Sequence, residues 1–124
     1  MDNSRFKFRV WNTETNTMII NVKEMGVFAL KSIYTIDEFL VIPTNEKYPL
    51  MQYTGLKDKN DIEVYHKDIG KDKFGKKVIV EWCEEHLCYG LLTIDETVKD
   101  EWNFCLKDLN EVIGNIYENK ELLN

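Results

Sequence analysis

The run from Leu50 to Gly70 constrains the fold more than any other part of this chain. Met51 and Tyr53 alternate with Gln52 and Thr54, the period-two pattern of a half-buried strand. Gly55 interrupts it. A glycine after a strand supplies a positive φ or lets another backbone come close. Lys57-Asp58-Lys59-Asn60-Asp61 follows as a run of turn formers, in which Asn and Asp tolerate the left-handed region and bond their own backbone. Ile62, Val64 and Tyr65 restart an apolar segment, which Asp68 and Gly70 close with a second turn around Ile69. The expected order is strand, tight turn, short strand, tight turn.

The flanks read the same way. From Arg5 to Trp11, Phe6, Phe8 and Val10 alternate with Lys7, Arg9 and Trp11, which gives a first strand with one apolar face. Asn12–Thr17 is a turn, and Met18–Val22 returns as the second arm of a hairpin. Between Val27 and Ile42 the β-branched and aromatic content favours short strands, although a helix from Lys31 also fits. Pro43 and Pro49 bracket a loop. Lys71–Lys77, with Gly75, reads as a loop. Val78–Cys83 is the strongest strand, with Val78, Val80 and Trp82 on one face and Ile79, Glu81 and Cys83 on the other. Glu84–Leu87 turns the chain and Cys88–Leu92 returns it. Thr93–Asn103 is acidic and polar, hence a long loop. Phe104–Leu106 is a short strand, Asp108–Asn110 a turn and Val112–Tyr117 the last strand, where Gly114 signals a bulge or close approach. Asn119 suits an N-cap for one helical turn carrying Leu122 and Leu123.

The expected fold is therefore mainly β. It has two small antiparallel β subdomains, residues 1–61 and 62–124, with at most a short C-terminal helical turn. Short strands and turns from Val64 to Tyr117 fit a small antiparallel barrel. Asp68-Ile69, then a loop, then Val78–Trp82 looks like the entry of an SH3-like barrel, a fold that hosts many functions.

The central run also resembles the YopX family of phage and prophage proteins. The family pattern reads roughly Met-Gln-Tyr-Thr-Gly-Leu-x-Asp-x-Asn-Gly, then Ile-Tyr-Glu-Gly-Asp-Ile-Val. This chain carries Met51, Gln52, Tyr53, Thr54, Gly55, Leu56, Asp58 and Asn60, then Tyr65, Asp68 and Ile69. It departs at Asp61 and Lys67, where glycine is usual, and at Gly70, where valine is usual. Phe6–Asn12 and Val112–Asn119 are similar to the family's opening and closing strands. The resemblance implies a mainly β fold of phage origin with no established activity, and it makes the motif residues structural.

Composition narrows the function classes. A net charge of -6 argues against non-specific nucleic-acid binding, which needs Lys and Arg to neutralise phosphates. Hydrophobic residues at 44% are enough for a core that needs neither disulfide nor metal. The start lacks the apolar run of a signal peptide, and no apolar stretch reaches the ~18–20 residues that span a bilayer. Three cysteines without a framework spacing point to the reducing cytoplasm of a host cell.

Cys83, His86 and Cys88 form the cluster that could carry chemistry. With Glu84–Leu87 as a loop, the two cysteines face each other across the strands. A zinc site would need a fourth ligand, such as Cys105 or Glu85, and the spacing matches no zinc knuckle. The preferred reading is reduced core and edge thiols, because a cross-strand disulfide would be strained. His66 beside Asp68 reads as a surface turn rather than an acid–base pair. No nucleophile elbow, phosphate loop or H-E-x-x-H is present. The carboxylates of the second half read as a solvated face.

We expect no cofactor, no metal and no enzymatic activity. The expected role is a protein-interaction or self-assembling module, homo-oligomeric or bound to a host or phage protein, away from membranes. The alternatives are a nucleic-acid-associated β-barrel module, an acidic mimic that binds a basic host protein and, more remotely, a small metal-dependent enzyme.

Overall fold

The computed structural model describes residues 7–19, 49–95 and 98–123. The strands expected between Val27 and Ile42, the loop after Pro43, Arg5 and Phe6, and the Ile20–Val22 end of the return strand lie outside these residues. The strands are β1 (Phe8–Asn12), β2 (Thr17–Ile19), β3 (Leu50–Lys57), β4 (Glu63–Tyr65), β5 (Asp68–Asp72), β6 (Lys77–Cys83), β7 (Cys88–Asp95), β8 (Val98–Asn103) and β9 (Leu109–Asn115). They form two antiparallel sheets, ordered β2-β1-β3-β4 and β8-β7-β6-β5-β9. The chain divides into two compact units, Met1–Tyr53 and Thr54–Asn124, and the division falls inside β3.

In the first unit β1 and β2 make the expected hairpin, with Val10 opposite Ile19 and Asn12 opposite Thr17. The Asn12 side chain closes its turn by accepting the Glu14 amide at 2.9 Å. β1 then pairs with the start of β3, with Arg9 opposite Met51. The single apolar face expected for β1 is corrected: Arg9, Val10 and Trp11 are all buried, so both faces of the strand are covered.

The second unit is a five-stranded half-barrel of SH3-like order. β5 to β8 form a meander, and β9 returns to pair with β5 after a 3₁₀ turn at Leu106–Asp108. Its core is Val64, Val78, Val80, Leu91 and Leu109. Val78 and Val80 supply it from one face of β6, as their alternation predicts.

Several boundaries differ from expectation. The second tight turn lies at His66-Lys67, not around Ile69, because Asp68–Asp72 is recruited as a strand between β6 and β9. Thr93–Asn103 is not a long loop: β7 continues to Asp95, and β8 pairs Trp102 with Leu92 and Asn103 with Leu91. Its polar residues suit an edge strand, where charge deters further pairing. Phe104–Leu106 is not a strand but leads into the 3₁₀ turn, and Leu109 is a core residue of β9 rather than part of a turn. The C-terminal helical turn is a 3₁₀ turn at Lys120–Leu123. Asn119 does not cap it with its side chain; Asn119 Oδ1 reaches back to the Asn115 amide at 3.1 Å. That contact fills the space beside Gly114, where a Cβ would meet Asn119.

Candidate functional site

The motif residues divide by what they do. Met51 and Tyr53 are buried from β3, and Tyr65, Asp68 and Ile69 are buried around the second turn. Thr54 Oγ1 donates to the Val64 carbonyl at 2.8 Å, joining β3 to β4. Gly55 sits at φ 93°, as its place after the alternation predicts. Gln52, Leu56 and Asn60 complete the segment without contributing buried polar groups.

Asp58 organises the first turn. Its Oδ1 accepts the amides of Asn60 at 2.8 Å and Ile62 at 3.0 Å, and its Oδ2 accepts the Val112 amide at 2.8 Å. One carboxylate thus closes its own turn and ties it to β9. Removal from water pushes this carboxyl up, but those three amides and nearby Lys59 outweigh that and hold it below its ordinary value. Asp68 Oδ2 accepts the Tyr65 amide at 2.8 Å and closes the second turn in the same manner. Asp61 and Lys67, at the two positions where glycine is usual, have φ of 64° and 73°. They adopt the left-handed conformation that the glycine would supply.

His66 Nε2 lies 3.5 Å from Glu81 Oε2, while Lys67 Nζ bonds Glu81 Oε1 at 2.5 Å. Burial raises the Glu81 carboxyl, and hydrogen bonds from His66 and Lys67 more than reverse this. The cluster clamps the second turn to β6 and leaves the carboxylate engaged with Lys67 and the His66 ring.

The β6–β7 hairpin end is different in kind. Trp82 and Tyr89 are directly opposed, with rings edge to face at 5.0 Å, and His66 lies against Tyr89 at 5.4 Å. Burial raises the Tyr89 phenol above its ordinary value. On the other face Trp102 and Phe104 stack at 5.4 Å, 9° from parallel, and His86 meets Phe104 at 4.6 Å. Gly90 makes room for that stack: a Cβ there would come within 2.9 Å of both rings. Trp82 is 38% exposed, Phe104 40% and Leu87 70%. Leu87 also holds φ 53°, an unusual conformation for a leucine. Exposed Glu84 and Glu85 flank it. Alternation puts Trp82 on the face of buried Val78 and Val80, yet near the end of β6 it stays partly exposed, and Phe104 lies beyond the end of β8.

Cys83 and Cys88 face each other in register as expected, and His86 Nδ1 lies 3.4 Å from Cys83 Sγ. Among the described residues no three of His, Cys, Asp and Glu converge to hold a metal ion. A cleft of about 300 Å³ opens over Leu56, Val64, Leu106 and Leu109, rimmed by Lys57, Lys59 and Lys107. Its floor includes core residues, and Lys57 and Lys59 form ion pairs with Asp61 and Glu111. Among the described residues no helix is long and apolar enough to cross a membrane.

These features define a mainly β chain with an SH3-like half-barrel held by carboxylate-stapled turns. It belongs to the YopX family: a family model described as YopX protein matches residues 7–124. The crystal structure of protein EF1440 from Enterococcus faecalis is similar over 95% of this chain and 97% of that one, with 23% identity and a TM-score of 0.56. At that identity the likeness is one of fold. No curated protein matches the chain.

Proposed function

We propose that this chain is a non-enzymatic, phage- or prophage-encoded interaction protein acting in the host cytoplasm, and that it self-associates through the aromatic end of its half-barrel. The observation that carries this reading is the exposure of Leu87, Trp82 and Phe104 at the end of the half-barrel that holds the β6–β7 turn. Leu87 is 70% exposed, so its side chain adds nothing to the core, and glycine would adopt its positive φ more readily. Trp82 and Phe104, exposed on opposite faces of the sheet at that end, are residue types enriched in protein interfaces. The polar groups that could serve catalysis support the same reading, because Asp58, Asp68, Glu81 and His66 are engaged in holding turns and strands.

A second reading has its own observation. The net charge of -6, with Glu84, Glu85 and Glu101 exposed, favours a basic host protein as partner over nucleic acid. Sedimentation across a wide concentration range tests self-association, with the Trp82→Ala/Phe104→Ala double variant beside wild type. Reversible association of wild type, weakened at least tenfold in the variant, is the expected result. A strict monomer at high concentration defeats self-association. Salt-sensitive capture of a host protein then supports the second reading, and a gel shift with DNA at low salt overturns both.

A further inference from the structure

We propose that Cys83 and Cys88 form a reversible disulfide across the mouth of the β6–β7 hairpin, made and broken by exchange with a small thiol–disulfide couple of the glutathione type. The two residues are directly opposed partners, the last rung before the Glu84–Leu87 loop. Opposed residues of an antiparallel pair stand with Cα atoms about 4.5 or 5.5 Å apart. Both values fall in the roughly 4.4–6.8 Å that disulfides span. Opposed side chains also leave the same face of the sheet. Both sulfurs are free thiols, so the rung is available for oxidation.

The strain that argues against a permanent bond favours a reversible one. Opposed Cβ atoms lie about 4.5–5.5 Å apart, against about 3.5–4.5 Å in disulfides. The rung must draw in slightly, and a bond under such strain is easily reduced. Because this rung ends the ladder, it tightens against a loop rather than against further strand pairs.

Exposure sets the order of events. Cys88 is half-buried and Cys83 buried, so an outside disulfide reaches Cys88 first. The Cys88 thiolate attacks one sulfur of oxidised glutathione. That S–S bond breaks, one glutathione thiolate leaves, and a mixed disulfide stands on Cys88. Cys83, held beside His86 at the base of the loop, then attacks the Cys88 sulfur as its thiolate. The mixed bond breaks and the second glutathione thiolate departs. The two departing thiolates take up the two cysteine protons. Two cysteine thiols thus lose two electrons to one glutathione disulfide, which becomes two glutathione thiols.

The test equilibrates the full chain in glutathione buffers from reducing to oxidising, blocks free thiols by alkylation and maps each cysteine by mass spectrometry. Cys83 and Cys88 are expected to lose alkylation together, within one molecule, while exposed Cys105 remains alkylated or carries glutathione. Returning the sample to reducing buffer restores both. The Cys83→Ser variant is expected to retain a stable glutathione adduct on Cys88 in most molecules, against a trace in wild type. The proposal is overturned if both cysteines stay available to alkylation at every ratio, if the disulfide joins two copies, or if wild type itself keeps the adduct. Should the variant fail to fold, the wild-type map decides alone.

Discussion

The two ends of the second unit handle a change of chain direction in opposite ways. At the β3–β4 turn, Asp58 spends its carboxylate on three backbone amides, one of them across the fold on β9. At the β6–β7 turn, side chains meet one another instead: Cys83 with His86, His86 with Phe104, Trp82 with Tyr89. The first turn is built to fix the backbone, and its polar groups are consumed in doing so. The second leaves apolar surface and two thiols at the end of a hairpin. Asp58 and Asp68 of the central run thus serve the backbone of their turns.

Asp58→Ala tests this contrast with the largest effect. It leaves the Val112 amide and two turn amides without their acceptor and is expected to cost about 2–4 kcal/mol in urea unfolding. A loss below about 1 kcal/mol would mean that the turn is held by other contacts. Gly70→Ala comes next. A Cβ there would collide with the Glu111 carbonyl oxygen and the Leu109 side chain, so about 1–3 kcal/mol is expected from overpacking at the β5–β9 rung.

Acid should reveal the same carboxylate. Asp58 titrates below its ordinary 3.8 in the folded chain. Its stabilisation is thus complete above that ordinary value and is lost as pH falls through the lower folded one. Wild-type stability should drop on acidification below about pH 4, and Asp58→Asn should show a flatter profile there. Parallel profiles for the two proteins would refute the assignment.

Glycine at the strained positions gives smaller, opposite effects. Asp61→Gly relieves a positive φ and loses a solvent-exposed pair with Lys57, so a gain of about 0.5–1 kcal/mol is expected. Lys67→Gly relieves similar strain but gives up the Glu81 bond, so its gain should be smaller. Leu87→Gly should also stabilise by about 0.5–1 kcal/mol while weakening self-association. Stabilisation with unchanged association would remove Leu87 from the proposed surface. Excess chelator should change nothing, and a lost far-UV strand signal would restore a metal to the hairpin end.

Much of this was legible in the residues. The alternation in Met51–Thr54 and Val78–Cys83 identified strands, the turn formers at Lys57–Asp61 identified the first turn, and Cys83 opposite Cys88 followed from a loop of Glu84–Leu87. The departures at Asp61 and Lys67 fell on two of the positions of positive φ. These signals are local: period, propensity and left-handed tolerance act within a few residues.

The rest depended on partners distant in the chain. Polar Val98–Asn103 became an edge strand because β7 offered it a ladder, and Asp68–Asp72 became a strand because β6 and β9 flank it. Asp58 could be recognised as a turn residue, but its bond to Val112 bridges fifty-four positions of chain. His66 meets Glu81 on β6 for the same reason. Hydrogen-bond ladders and burial are satisfied over the whole unit, and a pattern along the chain records only the local share of that energy.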